Sequence, residues 1–307
     1  MSEPHLLVGT ASWTDKSLIQ SGRFYPKGCS SAEDRLRYYA DHFPIVEVDS
    51  SYYAMPSARN ARLWVERTPP TFLFNVKAFR ALTQHQTPPA ALPPDLRPAP
   101  SAARNVYYKD LPADVRDELW RRYVEAILPL AEAGKLGALH FQFPPWFTAR
   151  RAHLDYLHEV RERLAPFPVA IEFRHRSWFT DTQREATLAL EREARFVNVI
   201  VDEPQGHASS IPPIWEVTND TLAIVRLHGR NTATWAAKGL AASSERFDYD
   251  YSDAELEALA AQILAIARRC RELHVIFNNN FEDQGVRNAR TMLGLLGTQA
   301  VAPEAET

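Results

Sequence analysis

The chain has 307 residues, 45% of them hydrophobic, with 35 basic against 38 acidic side chains and a formal net charge of −3. That length suits one large α/β domain or two small ones, and the balanced charge gives no whole-molecule field for a polyanion or an anionic membrane. Cys29 and Cys270 make neither a disulfide framework nor a metal knuckle. The N-terminal residues lack the basic and apolar regions of a signal peptide, and no apolar run reaches the roughly 18 residues of a membrane span. The expectation is a cytoplasmic protein with no membrane partner.

In chain order, LLVGTAS (6–12) reads as a first strand and SSAEDRLRYYADHF (30–43) as a helix, with Ser30 three residues before Glu33 in capping-box spacing. IVEVDS (45–50) is a second strand, SARNARLWVERT a helix and FLFNVKA (72–78) a third strand. HQTPPAALPPDLRPAPSAARNVYYKDLP (85–112) then breaks the pattern, because its prolines forbid regular helix. This excursion reads either as a solvated surface loop or as an active-site lid. LGALHFQF (136–143), VAIEFRH (169–175), FVNVIVD (196–202), LAIVRLHG (222–229) and HVIFNN (274–279) supply five more strands. TARRAHLDYLHEVRERLA, SDAELEALAAQILAIARRCREL and QGVRNARTMLGLL are the helical patterns among and after them, and the capping spacing recurs at Thr182/Glu185 and Ser252/Glu255.

A strand and a helix repeated eight times imply parallel pairing, since parallel neighbours need a crossover. The reading is an α/β TIM-type (β/α)₈ barrel over 1–297, a single domain with the proline-rich insertion after the third strand and a disordered tail from 298 to 307. In such a barrel one face of each strand meets the helices and the other looks inward. The apolar phase contains Val46, Val48, Phe74, Val76, Phe141, Ile171, Phe173, Val199, Val201, Val225, Leu227 and Phe277. The inward phase is then Glu47, Asp49, Asn75, Lys77, His140, Gln142, Glu172, Arg174, Asn198, Asp202, Arg226, His228 and Asn278. Burying so many charges costs several kcal/mol each, so the set is expected to form a site at the C-terminal end of the barrel. Trp13, Trp146, Trp178 and Trp235 each follow a strand and are expected on the rim, while Trp64 and Trp120 fall in helical patterns and read as core.

The stretches VGTASW, FYP (24–26), VEVDSSYYAMP, GKLGALHFQFPPWF, IEFRHRSW, VRLHGR and FNNNFEDQGVRNA resemble, in order along the chain, the motifs of the YecE-like family, domain of unknown function 72. The resemblance implies a TIM-type barrel and brings no activity with it. TDKSLIQSGR after Trp13 and the elaborate insertion depart from the family pattern.

Function is therefore read from the residues. Glu172 and Glu47 are expected as an acid–base pair, with Asp49, Lys77, His228 and Asp202 as further catalytic candidates. Arg174 and Arg226 are expected to clamp an anion, with Asn278, Gln142, Trp13, Trp178, Trp235 and Tyr25 binding the rest of the substrate. The leading reading is a hydrolase or isomerase of an anionic sugar-like, nucleotide-like or phosphorylated small molecule, needing no cofactor. One alternative is divalent-metal chemistry at Glu172, Asp202, His228 and Glu47, against which the neighbouring cations Lys77, Arg174 and Arg226 argue. The other is a non-catalytic barrel binding nucleic acid through RHR (174–176) and RLHGR. Lys77 at a strand end also has the placement for a Schiff base or for a structural ion pair, and the oligomeric state is left open.

Overall fold

A computed structural model describes residues 4–98, 105–237, 239 and 243–304. Eight parallel strands close into a barrel in sequence order: β1 His5–Ala11, β2 Ile45–Val48, β3 Leu73–Lys77, β4 Leu136–Gln142, β5 Val169–Glu172, β6 Val197–Asp202, β7 Leu222–Leu227 and β8 Glu272–Phe277. Pairing of β8 with β1 over His5 to Thr10 completes the closure. Around it lie α1 Lys16–Ser21, α2 Ala32–Ala40, α3 Ser50–Tyr53, α4 Ala58–Glu66, α5 Ala113–Glu132, α6 Arg151–Arg163, α7 Arg184–Glu193, α8 Thr232–Trp235, α9 Asp253–Ala267 and α10 Gln284–Leu296. The fold is the expected TIM-type barrel.

The strand–helix repeat fails once. Residues 203–221, between β6 and β7, contain no helix, because Pro204, Gly206, Pro212 and Pro213 break any helical run. This absence inverts the expected phase of β6. Backbone carbonyls of the irregular segment lie over the outer face of the strand and need donors, and Asn198 supplies them, its amide donating to the carbonyls of Ile214 and Glu216 at 3.2 Å each. The register pairs Ala170 with Val197 and Val201 with Arg226, so Val197, Val199 and Val201 share the inward face with Arg226. Asn198 and Asp202 thus point outward, a correction to the sequence reading. The first acid on the inner phase after β6 is Glu203.

Two caps differ from expectation. Ser31 rather than Ser30 caps α2, in a reciprocal box with Asp34, which leaves Glu33 to pair with Arg37 and Arg67. At α7 the N-cap is Gln183 with no side-chain bond, the Thr182 hydroxyl lying 3.4 Å from that of Thr180 instead. Ser252 and Glu255 form the expected box at α9.

The described part of the proline-rich insertion folds against helices. Thr87 and Val106 exchange backbone hydrogen bonds of 2.8 and 2.9 Å, Pro89–Ala91 and Pro94–Leu96 form short turns, and Asp95 pairs with Arg122 on α5. Residues 99–104 lie outside the described residues. The expected disorder from 298 is corrected up to residue 304. Gly297–Gln299 form a turn, the Val301 N–H donates to the Leu6 carbonyl at 2.8 Å, and Val301 packs against the small interior cluster of Leu7, Ala11, Ile45 and Ile276. Residues 305–307 lie outside the described residues.

Candidate functional site at the barrel mouth

The inward side chains form a deep charged layer and, above it, an open mouth. In the deep layer Arg226, from β7, donates one guanidinium nitrogen to Glu47 of β2 at 2.6 Å and another to Glu172 of β5 at 2.7 Å. His140, from β4, lies between the same acids, Nδ1 3.0 Å from Glu47 and Nε2 3.0 Å from Glu172. All four side chains are inaccessible to solvent. Burial on its own pushes both carboxyls up. Arg226 and His140 beside Glu47, and Arg174 and Arg226 beside Glu172, outweigh it and hold both well below the usual carboxylate range.

His228 adds a neutral member to this layer. Burial and the neighbouring Arg174 push its imidazole down to about 3. Its Nδ1 lies 2.8 Å from the Asn278 amide, and its Nε2 lies 3.2 Å from Glu172 and 3.1 Å from the Arg174 Nη2.

The mouth, a cavity of about 490 Å³, opens above this layer. Lys77 ends β3 and Asp49 follows β2, and their charged groups meet at the floor, 3.2 Å apart. Burial pushes the Asp49 carboxyl up, with Lys77 opposing it only in part. Gln142, Arg174 and Asn278 surround the pair. One wall is a run of rings in edge-to-face contact: Tyr53 on Tyr52 at 5.0 Å, Tyr52 on His85 at 5.1 Å and His85 on Trp146 at 6.0 Å. Burial, then Lys77, pushes His85 down to about 3, so this imidazole is neutral. The facing wall is Trp235 edge-on to Phe247 at 6.2 Å, with the Arg174 guanidinium 5.4 Å from the Trp235 ring. Tyr53 and Trp146, at 56% and 52% exposed, are two of the three exposed large hydrophobic residues among those described, and both stand on this rim.

Size alone does not select the mouth. A cleft of about 480 Å³ lies between α4, α5 and the insertion, and another of about 430 Å³ at the N-terminal ends of β5 and β7. Of these three cavities, the mouth is the one at the C-terminal strand ends, where barrel enzymes keep their chemistry, and the one that inward polar side chains reach.

The expected site residues divide into three groups. Asp49, Lys77, Gln142, Arg174, Asn278 and Trp235 meet in the mouth. Glu47, Glu172, Arg226 and His228 lie beneath it, fully buried and in contact with one another, so that, against expectation, neither glutamate lines the cavity and Arg226 turns two of its nitrogens to the glutamates. Asp202, Trp13, Trp178 and Tyr25 lie elsewhere. Asp202, on the outer face of β6, holds Arg230 at 2.8 Å and the Tyr251 hydroxyl at 2.7 Å. Trp13 packs edge-on against Trp64 and Phe74 behind the barrel wall, and Tyr25 donates to its carbonyl. Trp178 is core, stacked 4.0 Å from Phe173, its indole N–H donating to the Phe147 carbonyl at 2.7 Å. Sequence reasoning missed Tyr52, Tyr53, His85, Glu203, Arg246 and Phe247. The two tyrosines were legible as residues directly following a strand, whereas Arg246 and Phe247 sit deep in the β7–β8 connection, where spacing carries no signal.

The alternatives fare unequally. Among the described residues no group of three His, Cys, Asp or Glu is arranged to hold a metal ion, and Glu47 and Glu172 turn their oxygens to Arg226. The basic stretches expected to meet nucleic acid have Arg174, Arg226 and His228 buried, while Arg230 is engaged by Asp202 and Glu255. No helix among the described residues is long and apolar enough to cross a membrane.

A family model described as protein of unknown function DUF72 matches residues 7–307. The UPF0759 protein YunF of Bacillus subtilis (strain 168) is 32% identical over 95% of this chain and 94% of its own length. The UPF0759 protein YecE of Escherichia coli (strain K12) is 27% identical over 60% of this chain and 58% of its own. A crystal structure of a DUF72 family protein from Enterococcus faecalis V583, 28% identical, superposes with a TM-score of 0.78 over 95% of each chain.

Proposed function

We propose a function for this chain, which belongs to the DUF72 family of proteins of unknown function, from its barrel mouth alone, since the family supplies a fold and no reaction. The reading is an enzyme that performs acid–base chemistry, as a hydrolase or isomerase, on an anionic small molecule bearing a flat ring.

One observation carries it. Asp49 and Lys77, 3.2 Å apart, form the acid–base pair that reaches the cavity floor, while the acids beneath them are buried and hydrogen-bonded to Arg226. A carboxyl raised by burial is suited to exchange a proton near neutral pH, and the ammonium beside it stabilises an oxyanion as charge develops. An isomerase would use Asp49 to move a proton between neighbouring carbons of the ligand, and a hydrolase would use it to activate water. Arg174, Gln142 and Asn278 supply donors for the anionic group. The slot between the Tyr52–His85–Trp146 wall and Trp235 accepts a ring, which gains contact area there at little entropic cost.

The test has two arms. Thermal-shift screening of phosphosugars, nucleotides and ring-bearing carboxylates should find stabilising ligands whose effect Trp235→Ala removes. For a substrate so identified, Asp49→Asn should lower turnover by about 100-fold or more while retaining binding. Full turnover in Asp49→Asn would remove the pair from the chemistry, and a screen in which no anion stabilises the protein would remove the site.

A further inference from the structure

Arg174 is the buried guanidinium that an incoming anion meets, because it lines the mouth while Arg226 lies wholly beneath. It meets that anion already engaged. Its Nε is 2.6 Å from Glu172, its Nη1 2.5 Å from Glu203 and its Nη2 3.1 Å from the His228 Nε2. Glu47, Glu172 and Glu203 together set three acids against the two guanidiniums of Arg174 and Arg226. A ligand anion brought against Arg174 adds a fourth negative group where charges are poorly screened.

We propose that the mouth takes up its anionic ligand together with one proton, and that Glu203 receives it, freeing the Nη1 side of Arg174 for the ligand. The inference rests on the reading of the mouth as an anion site. Of the three acids, Glu203 is the one able to change. Glu47 and Glu172 both stand on Arg226 and touch His140, whereas Glu203 has Arg174 as its single cationic partner among the described residues. Its other oxygen accepts the Ile211 N–H at 2.8 Å, a bond that a neutral carboxyl keeps.

The groups around Glu203 leave the proton nowhere better to go. Burial, opposed by Arg174, pushes its carboxyl up to about 7, with Glu172 of β5 and the adjacent Asp202 of β6 adding to the rise. His228 of β7, on the far side of Arg174, is pushed down to about 3 by burial and that same arginine, so it does not compete. Asp202 faces the other side of its strand and holds Arg230. The competing groups are Asp49, also raised but paired with Lys77, and His140, which lies between Glu47 and Glu172 at 3.0 Å from each.

The probe is 2-naphthalenesulfonate, a flat ring with a permanent charge that does not itself titrate near neutral pH. Calorimetric titration of the parent at about pH 8, in two buffers of different ionisation enthalpy, should show about one proton taken up per ligand, with affinity falling by up to about tenfold per pH unit above pH 7. Glu203→Gln should bind with no uptake and no such slope, and Asp49→Asn should keep both. Binding without proton uptake in the parent overturns the inference and leaves the anion site standing, whereas no binding overturns both. Uptake that disappears in Asp49→Asn assigns the proton to Asp49 and overturns the role of Glu203. Should Glu203→Gln fail to fold, the proton counts of Asp49→Asn and His140→Gln decide the matter, loss of uptake in either overturning the role of Glu203.

Discussion

Replacing Arg226 with methionine tests whether the deep charge layer holds the barrel together or binds ligand. In the parent, Arg226 is fully buried and bonds Glu47 at 2.6 Å and Glu172 at 2.7 Å. Once it is gone, Glu172 still has Arg174 at 2.6 Å, but Glu47 retains only His140 at 3.0 Å. Stranding a buried charge in this way costs about 3–5 kcal/mol, which for a domain of this size lowers Tm by roughly 5–8 °C. The pH dependence has a defined sign. In the parent both carboxyls are held below their unfolded values, so their contribution to stability is present above about pH 4.3 and is lost as pH falls through the folded values. Without the guanidinium, burial raises Glu47 instead, and the variant forfeits that contribution. Urea unfolding followed by circular dichroism at about pH 8 and pH 5 should therefore give a larger parent–variant difference at the higher pH, and a further Glu47→Gln should recover part of it. A loss below about 1 kcal/mol, a difference that does not change with pH, or rescue by added anions would refute the reasoning, the last by showing that Arg226 is reached by ligand after all.

Glu191 on α7 is fully buried, and neither carboxylate oxygen has a hydrogen-bond partner among the described residues, so burial pushes its carboxyl well above the usual range. The folded state keeps that proton while the unfolded chain loses it, so Glu191 should take up to about 1.4 kcal/mol per pH unit from parent stability above about pH 4.3, and Glu191→Gln should decline less steeply by that amount, Glu203 and Asp49 still contributing; parallel pH curves would count against it. At Gly9 an added Cβ would lie 2.0 Å from the Ile45 carbonyl oxygen of the adjoining strand, so Gly9→Ala should lose at least about 2 kcal/mol in the same unfolding assay, and a variant as stable as the parent would mean that β1 and β2 are not so close.

The barrel was legible because eight strand-length apolar runs separated by crossovers leave few ways to pair in parallel. Legibility fell where local composition broke the repeat. The prolines of 203–221 deny β6 its covering helix, so the polar residues of FVNVIVD serve a loop outside the barrel rather than the cavity within. Alternation gives the spacing of polar positions along a strand, and only knowledge of what covers each face says which spacing is inward.

Depth is the second quantity that alternation does not carry. Glu47 and Asp49 share a strand phase and differ by one step of two residues, roughly 7 Å of rise. That step separates a carboxylate closed over by Arg226 from one at a cavity floor beside Lys77. The same step separates Glu172, in the buried layer, from Arg174, which lines the mouth. Because the strands of a closed barrel are tilted and staggered, register does not keep to one depth: it pairs Lys77 at the cavity floor with His140 of the deep layer, and Gln142 of the mouth with Glu172 beneath it. Glu172 faces inward because it anchors the buried layer, held there by Arg226 and Arg174. Arg174, one step higher, lines the mouth while paired with Glu172 and Glu203, and its charge reaches a ligand only to the extent that Glu203 lets go of it.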